Sequence, residues 1–277
     1  MTTHPHKKIK TIKALYAVCI ILLSVTILYV LQRVFLFDQF SVNSTSMAPT
    51  IVPGNKVVVN KMIFGARIYK NWDFGESKQL SAFRVAGFRS IRHNDIVVFN
   101  GPQSNDSEKI RFKINYVYVK RCLGLPDDSL SVINGFYKNN HFADTLGHFG
   151  NQFMLSNYVE KKTLSEGHST YPRQADSLGW DIKDFGPLYI PRSGKIITLD
   201  TKNYYLYKSV IEYETGQSLR LHNNNIFLDN EPINDYAFQK DYYFMAGDNV
   251  ENSKDSRYFG LVPEEFIVGV VCKIRRN

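Results

Sequence analysis

The hydrophobic positions of this chain form one long run near the N-terminus and many short runs after it. Residues 14–31 (ALYAVCIILLSVTILYVL) carry no charge, and as a helix they would measure about 27 Å. This length nearly spans the roughly 30 Å hydrocarbon core of a bilayer, and residues 34–37 extend the run past Arg33, whose long side chain can reach the interface. The pattern therefore predicts one transmembrane anchor over residues 14–37.

The charges beside this run predict its orientation. Lys7, Lys8, Lys10 and Lys13 precede it with no acidic residue among them, and such clusters stay on the cytoplasmic side. We expect a single-pass protein of the plasma membrane, with residues 1–13 as a cytoplasmic tail and the body on the exported side. A cleaved export signal is the alternative, but the run exceeds a signal-peptide core of roughly 7–15 residues and no small-x-small site directly follows it.

The rest of the chain contains short apolar runs that end at Gly, Pro, Asn or Asp. Such spacing is typical of antiparallel β-sheets, and helical periodicity is weak outside the anchor. Asn134-Gly135 is a strong signal for a hairpin turn, whereas residues 138–190 predict an irregular region. We therefore predict a mostly β fold, an antiparallel β-sheet core preceded by one transmembrane helix. The predicted strands cover residues 56–60, 95–99, 115–122, 129–133, 195–199, 204–213, 226–228, 242–246 and 266–274.

Composition and charge narrow the functional classes. The net charge is +8, and four of those positive charges are the tail lysines, so the remaining +4 gives no reason to expect nucleic acid. Three cysteines exclude a disulfide-dense scaffold and a four-cysteine zinc site. Cys122 and Cys272 could pair in an oxidising compartment, but both lie in apolar runs, which favours two buried free thiols. The histidines lack the spacing of metal ligands, so we expect no metal, no cofactor, and solvated side chains for His141, His148 and His168.

The first segment with candidate chemistry follows the anchor. Residues 44–50 read STSMAPT, and in an extended chain Ser44 and Ser46 point to the same side. A serine nucleophile needs a base and a donor for the oxyanion. Taken alone, however, the segment also fits a hydroxyl-rich loop.

The second segment supplies a candidate base. Lys120 ends the apolar run Tyr116–Val119. A lysine is a base only when its amine is neutral, and burial lowers its pKa towards that state. Taken alone, a lysine on a solvent-facing strand is the more common case.

The third segment is polar and lies between two apolar runs. Residues 247–260 read GDNVENSKDSRYFG, and their side chains could hydrogen-bond to a buried site. An ordinary polar turn is the alternative. The spacing does not match a calcium-binding EF-hand loop.

Together these segments resemble the type I signal peptidases, which are membrane-bound Ser/Lys proteases. Residues 46–50 (SMAPT) are similar to the nucleophile box of that family, and residues 94–99 (NDIVVF) to its strand motif, with Asn94 where Gly is usual. Residues 120–128 (KRCLGLPDD) resemble the lysine box, with Asp127 where Gly is usual. The third segment resembles the last box, with Val250 and Glu251 in place of Arg and Asp. Four boxes in the same order are a specific signal.

The resemblance implies a role for each matching residue. Ser46 would be the nucleophile and Lys120 the general base. The Ser44 hydroxyl and the Ser46 backbone N–H would form the oxyanion hole, and Ser253 would orient Lys120. Two supporting ion pairs are implied, Asp255–Arg257 and Asp248–Arg121. The pocket for small substrate side chains would be lined by Val42, Met47, Tyr118 and Val119.

The resemblance also implies an organisation and an activity. Residues 38–134 and 241–277 would form the catalytic β core, with residues 135–240 as an inserted second β subdomain. The chain would be a monomeric, membrane-anchored serine endopeptidase whose partners are the lipid bilayer and preproteins that carry signal peptides. A self-cleaving Ser/Lys repressor protease shares this chemistry but would need a DNA-binding domain where this chain has an anchor. A non-enzymatic, anchored β-domain for envelope binding or assembly is the alternative from another class.

Overall fold

A computed structural model describes residues 5–71, 80–102, 109–158, 170–172 and 176–276 of the chain. The side chains of residues 5–11 and of Asp176 are not among the described parts. Residues 1–4 of the predicted cytoplasmic tail and the predicted solvated His168 therefore lie outside the described residues, as do the side chains of the tail lysines Lys7, Lys8 and Lys10.

The N-terminal helix matches the predicted anchor. Helix α1 (Pro5–Leu31) continues into a π-helical turn, Gln32–Leu36. The stretch Ile12–Leu36 has a mean hydropathy of 2.6, and none of its most apolar window is buried against the body. A helix that is apolar on all sides and unburied suits a lipid environment, so α1 is a candidate membrane span.

Short strands dominate the described part of the chain after α1, and three further α-helices interrupt them. The strands are β1 (Phe37–Ser41), β2 (Lys56–Asn60), β3 (Arg67–Tyr69), β4 (Ala82–Arg84), β5 (Ile96–Asn100), β6 (Val117–Gly124), β7 (Ser129–Ile133), β8 (Phe136–Asn139), β9 (Phe185–Tyr189), β10 (Ile196–Thr198), β11 (Leu219–His222), β12 (Asn225–Leu228), β13 (Glu231–Pro232), β14 (Asp235–Ala237), β15 (Tyr242–Ala246), β16 (Val262–Pro263) and β17 (Ile267–Arg275). The helices are α2 (Phe149–Ser156), α3 (Thr201–Thr215) and α4 (Ser256–Phe259).

One antiparallel sheet of seven strands forms the centre of the body. Its order is β1-β2-β17-β5-β6-β15-β16, and the strands come from residues 37–124 and 242–275. The strands between these two stretches form smaller sheets, β7 with β8 and β9, β10 with β14, and β11 with β12 and β13. The predicted mostly β fold is confirmed. The predicted subdomain boundary at 134/135 falls in the turn between β7 and β8, which pair with each other.

The large sheet buries apolar side chains on both faces. On β5, Val97 and Phe99 belong to the larger hydrophobic cluster, whereas Val98 belongs to a smaller one on the opposite face. Successive side chains of a strand point to opposite faces, so a strand covered on both sides needs an uninterrupted apolar run. This is why residues 96–99 read IVVF.

The prediction of a strand over residues 204–213 was wrong, because these residues lie in helix α3. The run is rich in Tyr, Val and Ile, which favour strands. The capping residues at the two ends of this segment favour a helix instead. The Asp200 side chain accepts a hydrogen bond from the backbone N–H of Asn203, and Gly216 ends the helix in the left-handed conformation. Its buried residues include Tyr204, Tyr207, Val210, Ile211 and Glu214, at helical spacing.

The expectation of two buried free thiols holds for only one of them. Both cysteines are free, but Cys122 is buried whereas Cys272 is exposed. The pairing of β17 with β2 shifts register between Val271 and Lys273. Cys272 is therefore the extra residue of a β-bulge and leaves the alternating pattern that would have buried it.

Candidate active site

The two residues predicted to react with each other meet in space. Ser46 lies in the turns that follow β1, and Lys120 lies on β6, where it pairs across to Val97 of β5. The Nζ atom of Lys120 is 2.6 Å from the Oγ atom of Ser46. This is hydrogen-bonding distance for a nucleophile and its base.

The environment of Lys120 differs from that of an ordinary lysine. The side chain is 2% exposed, and burial lowers its pKa to about 8. The charges of Asp255 and Asp248 oppose this shift, whereas Arg257 adds to it. Because an ammonium group loses hydration inside a protein, the neutral amine becomes accessible at mildly alkaline pH.

Two hydrogen-bond donors lie next to the Ser46 hydroxyl. The Oγ atom of Ser44 is 3.1 Å from the Oγ atom of Ser46 and is exposed. Among the described residues, no acceptor is bonded to the backbone N–H of Ser46. Both groups can therefore donate a hydrogen bond to a substrate atom bound at Ser46.

Two bidentate ion pairs hold the last segment next to Lys120. Arg121 donates from Nε and Nη2 to the Asp248 carboxylate at 2.7 and 2.6 Å. Arg257 donates in the same way to Asp255 at 2.9 and 2.8 Å, and both residues are fully buried. Two parallel charge-assisted bonds fix orientation as well as distance.

Gly247 allows the last segment to approach the nucleophile closely. A Cβ atom at this position would lie 2.4 Å from the Ser46 carbonyl oxygen and 2.2 Å from the Ser253 hydroxyl. The backbone N–H of Asn249 donates to the same Ser46 carbonyl at 3.1 Å. Only glycine fits such an approach, so the segment docks directly on the loop that carries Ser46.

Ser253 is near the site but is unpaired. Its hydroxyl is buried, with the residue 2% exposed, and it has no hydrogen-bond partner among the described residues. The predicted bond from Ser253 to Lys120 is therefore not made in this structure. An unpaired buried hydroxyl is uncommon and calls for an explanation.

The structure brings together three of the four residues predicted to line the substrate pocket. Val42, Met47 and Val119 pack in the smaller hydrophobic cluster. The Tyr118 ring packs on Phe99 with ring centroids 5.9 Å apart, in the larger cluster. Because neighbouring residues of a strand face opposite ways, Tyr118 and Val119 lie on different faces of β6.

Two departures from the family boxes occupy backbone positions that favour glycine. Asn94 has φ +67° and Asp127 has φ +82°, the left-handed region that Asn and Asp tolerate best among other residues. The turn after Pro126 therefore keeps the conformation that a glycine would adopt. The Asp127 carboxylate also accepts a hydrogen bond from Tyr189 at 3.1 Å.

Three histidines have contacts that the sequence did not suggest. The Nε2 atom of His93 is 2.7 Å, and the Nδ1 atom of His141 is 3.1 Å, from the carboxylate of Asp128. His148 caps α2 by accepting a hydrogen bond from the backbone N–H of Asn151. His93 and His141 lie 35 and 13 residues from Asp128 in the sequence, so no local motif indicates this cluster. His148 directly precedes α2, and a helix cap at that position could have been predicted. Among the described residues, no group of three or more His, Cys, Asp or Glu could hold a metal ion.

Asn151 is the site residue that sequence reasoning missed. It lies on α2, in the stretch predicted to be irregular. Its side-chain amide donates to the Ala48 carbonyl at 3.0 Å and to the Asp248 carbonyl at 2.7 Å. One amide therefore ties the nucleophile loop to the last segment.

Removing this amide should affect both stability and rate. Asn151→Ala deletes two hydrogen bonds, so we expect unfolding free energy to fall by about 1–3 kcal/mol and peptide cleavage to slow by roughly tenfold through misplacement of Ser46. The measurements are urea unfolding and kcat with KM on a peptide substrate. Asn157→Ala, at the exposed end of the same helix, is the control and should change neither. Loss of stability with an unchanged kcat would limit Asn151 to a structural role.

Comparison with known proteins places the chain in a family. The family model described as "Signal peptidase, peptidase S26" matches residues 11–274. The chain is similar to signal peptidase I of Buchnera aphidicola subsp. Schizaphis graminum, with 28% identity over 256 residues, 87% of this chain and 69% of the relative. It is also similar to signal peptidase I of Helicobacter pylori, with 26% identity over 271 residues, 94% of this chain and 82% of the relative. Since the family match spans nearly the whole chain, the chain belongs to the signal peptidase family, peptidase S26.

Proposed function

We propose that this chain is a membrane-anchored serine endopeptidase that removes signal peptides from exported preproteins with a Ser46–Lys120 dyad. The observation that carries the proposal is the 2.6 Å contact between the Lys120 amine and the Ser46 hydroxyl, made where Lys120 is 2% exposed. A buried neutral amine can act as a base near neutral pH, whereas a hydrated ammonium cannot.

Acylation follows from this arrangement. The neutral amine of Lys120 takes the proton of Ser46 as Oγ attacks the scissile carbonyl carbon. The negative charge that develops on the carbonyl oxygen is stabilised by the Ser44 hydroxyl and the Ser46 backbone N–H. The protonated Lys120 then gives its proton to the leaving amine, and the acyl group stays on Ser46.

Deacylation uses the same base. Lys120 is neutral again after the amine departs, and it takes a proton from a water molecule that attacks the ester carbonyl carbon. The ester bond to Ser46 Oγ breaks, the proton on Lys120 passes to that oxygen, and the carboxylic acid product leaves and loses its proton to water. Val42, Met47 and Val119 are the proposed contacts for small substrate side chains on one face of β6, and Tyr118 is the proposed contact on the other face.

The membrane supplies the setting for this reaction. We propose that α1 crosses the plasma membrane once, with a cytoplasmic N-terminus, and that the body acts as a monomer on the exported side. The site would then lie close to the bilayer that holds the apolar segment of the preprotein, so substrate and enzyme share one surface. The division into a core of residues 38–134 and 241–277 and an insert of residues 135–240 remains part of the proposal.

Acylation by a lactam that reacts with serine tests the dyad. Mass spectrometry should find the adduct on Ser46, and the second-order rate of acylation should rise about tenfold per pH unit up to about pH 8 and then level off. The sign follows from the pKa of Lys120, lowered by burial to about 8: below it the amine is protonated and cannot accept the serine proton.

The same experiment separates the proposal from its alternative. Ser46→Ala should remain unlabelled, while Ser41→Ala, an exposed serine at the end of β1, should label at the normal rate. A non-enzymatic β-domain would give no adduct. A rate that is flat between pH 6 and pH 9 would contradict the role of Lys120 as the base.

Ser253 gives a test in which stability and activity separate. Because its hydroxyl has no partner among the described residues, Ser253→Ala should change the unfolding free energy by less than about 0.5 kcal/mol. If the hydroxyl orients Lys120 during turnover, the acylation rate should fall about tenfold. This is less than the full contribution of a general base, because Lys120 itself remains. Ser256→Ala is the matched control, since the Ser256 hydroxyl accepts a hydrogen bond from Met245 at 3.0 Å, and its loss should cost about 1–3 kcal/mol. An unchanged acylation rate in Ser253→Ala would remove its proposed role.

A further inference from the structure

A cavity lies where the membrane helix meets the body. Its volume is about 550 Å³, within the range of small-molecule sites. One wall comes from the end of α1 and the turn after it, and the other from β3 and β17. The candidate membrane span ends at Leu36, and with α1 across the bilayer, as proposed above, the cavity would lie at the depth of the lipid headgroups.

One part of the cavity wall is apolar. Val30, Val34 and Phe35 line it from the helix side, and Ile68 and Val268 line it from the body. A surface of this kind at the edge of a bilayer suits the first methylene groups of an acyl chain better than it suits water.

The other part of the wall carries an excess of positive charge. The Asp38 carboxylate is shared between Arg33, at 2.7 Å, and Lys61, at 3.3 Å. Among the described residues, Arg67 donates to neutral oxygens, the Glu265 carbonyl and the side chains of Tyr69 and Asn100, and the Glu265 carboxylate, which is not part of the cavity lining, also interacts with its charge. Three cations and one carboxylate therefore line the cavity, which leaves two positive charges in excess.

Two cations of this wall, Lys61 and Arg67, are partly buried. Burial lowers the pKa of Lys61 and also that of Arg67. Such groups are stabilised by an additional anion, and a phosphate is the anion that a bilayer surface supplies.

We propose that this cavity binds one anionic phospholipid, with the phosphate near Arg33, Lys61 and Arg67 and the upper acyl chain against Val34 and Ile68. The apolar and cationic parts of the wall are adjacent, as the two parts of a phospholipid are. The site is independent of the Ser46–Lys120 dyad, so its failure and that of the proposed function are distinguishable.

Binding to the full-length chain in a neutral detergent tests the site. The probes are dioctanoyl phosphatidylglycerol, dioctanoyl phosphatidylcholine and glycerol phosphate, with bound lipid counted by native mass spectrometry. Phosphatidylglycerol should bind at least about tenfold more tightly than phosphatidylcholine, because only it has a net negative charge. Glycerol phosphate should not compete at the same concentration, because it has no acyl chain to fill the apolar wall.

Two variants and a control separate the two parts of the site. Arg33→Gln should weaken phosphatidylglycerol binding about fivefold, and Arg33 is half-exposed, so the body should stay folded. Val34→Trp leaves every charge in place, fills the apolar wall and should weaken binding of both lipids. Lys56→Gln, on the exposed end of the strand that precedes Lys61, should bind as the wild type does. Equal binding of the two lipids, full competition by glycerol phosphate, or wild-type binding by Arg33→Gln would overturn the proposal.

Discussion

Replacing Lys120 by methionine should lower the rate of preprotein cleavage on the order of 10⁴-fold while the chain remains folded. The substitution removes the amine that lies 2.6 Å from Ser46. Methionine has a similar length and fills the buried space with apolar atoms. Because burial disfavours the charged amine, its removal also relieves a desolvation cost, so the fold should not lose stability.

The measurement is cleavage of a preprotein by the purified full-length chain in detergent, with circular dichroism to check folding. Ser46→Ala should lower the cleavage rate by the same factor, because nucleophile and base act as a unit. Lys138→Met is the matched control, since Lys138 is an exposed lysine on β8, and its rate should be unchanged. Turnover by Lys120→Met within tenfold of the wild type would contradict the dyad.

Replacing Asp255 by alanine should be the most destabilising change at the site, with a loss of about 3–5 kcal/mol of unfolding free energy. The Asp255 carboxylate accepts hydrogen bonds from the Arg257 guanidinium and from the backbone N–H of Gly247. Burial alone would raise the pKa of Asp255, but the charge and hydrogen bonds of Arg257 outweigh it and lower that pKa. Without Asp255, the guanidinium of Arg257 is left buried and unpaired.

Urea unfolding of the full-length chain, followed by tryptophan fluorescence, measures this loss. Lys195→Ala is the control, because Lys195 is half-exposed and pairs with Asp127 at 3.4 Å, and surface pairs contribute less than about 1 kcal/mol. Equal unfolding midpoints for Asp255→Ala and Lys195→Ala would show that the buried pair does not stabilise the body. Since Asp255 lies beside Lys120, the variant should also lose activity.

Burying Lys120 costs free energy and at the same time makes its amine usable as a base. Burying a lysine disfavours its charged form, and in most proteins such a residue would be kept at the surface. Here the cost is reduced by a charged neighbourhood in which Asp255 and Asp248 favour the ammonium and Arg257 opposes it. The balance leaves a pKa of about 8, which is close to the pH at which a general base works best.

Local sequence signals predicted eight of the 17 strands in the described part of the chain, and one predicted strand, over residues 204–213, is a helix. The predicted strands at residues 56–60, 129–133 and 242–246 have the same bounds in the structure. The hairpin turn at Asn134-Gly135 is confirmed, with φ +47° and +84° at the two residues. The segment of helix α3 is rich in residues that favour strands, but the capping residues Asp200 and Gly216 outweigh this preference.

The sequence by itself determined the apolar N-terminal helix, the mostly β fold and the residues of the proposed dyad, because an uncharged apolar run, alternating strands and short motifs are local in the chain. Only the tertiary structure decided that Ser46 and Lys120, 74 residues apart, are in contact and that Asn151 ties their two segments together. It also decided the pKa of Lys120, because desolvation depends on packing between segments far apart in the sequence. A pattern of residues shows which groups are available, whereas their reactivity depends on which neighbours exclude water from them.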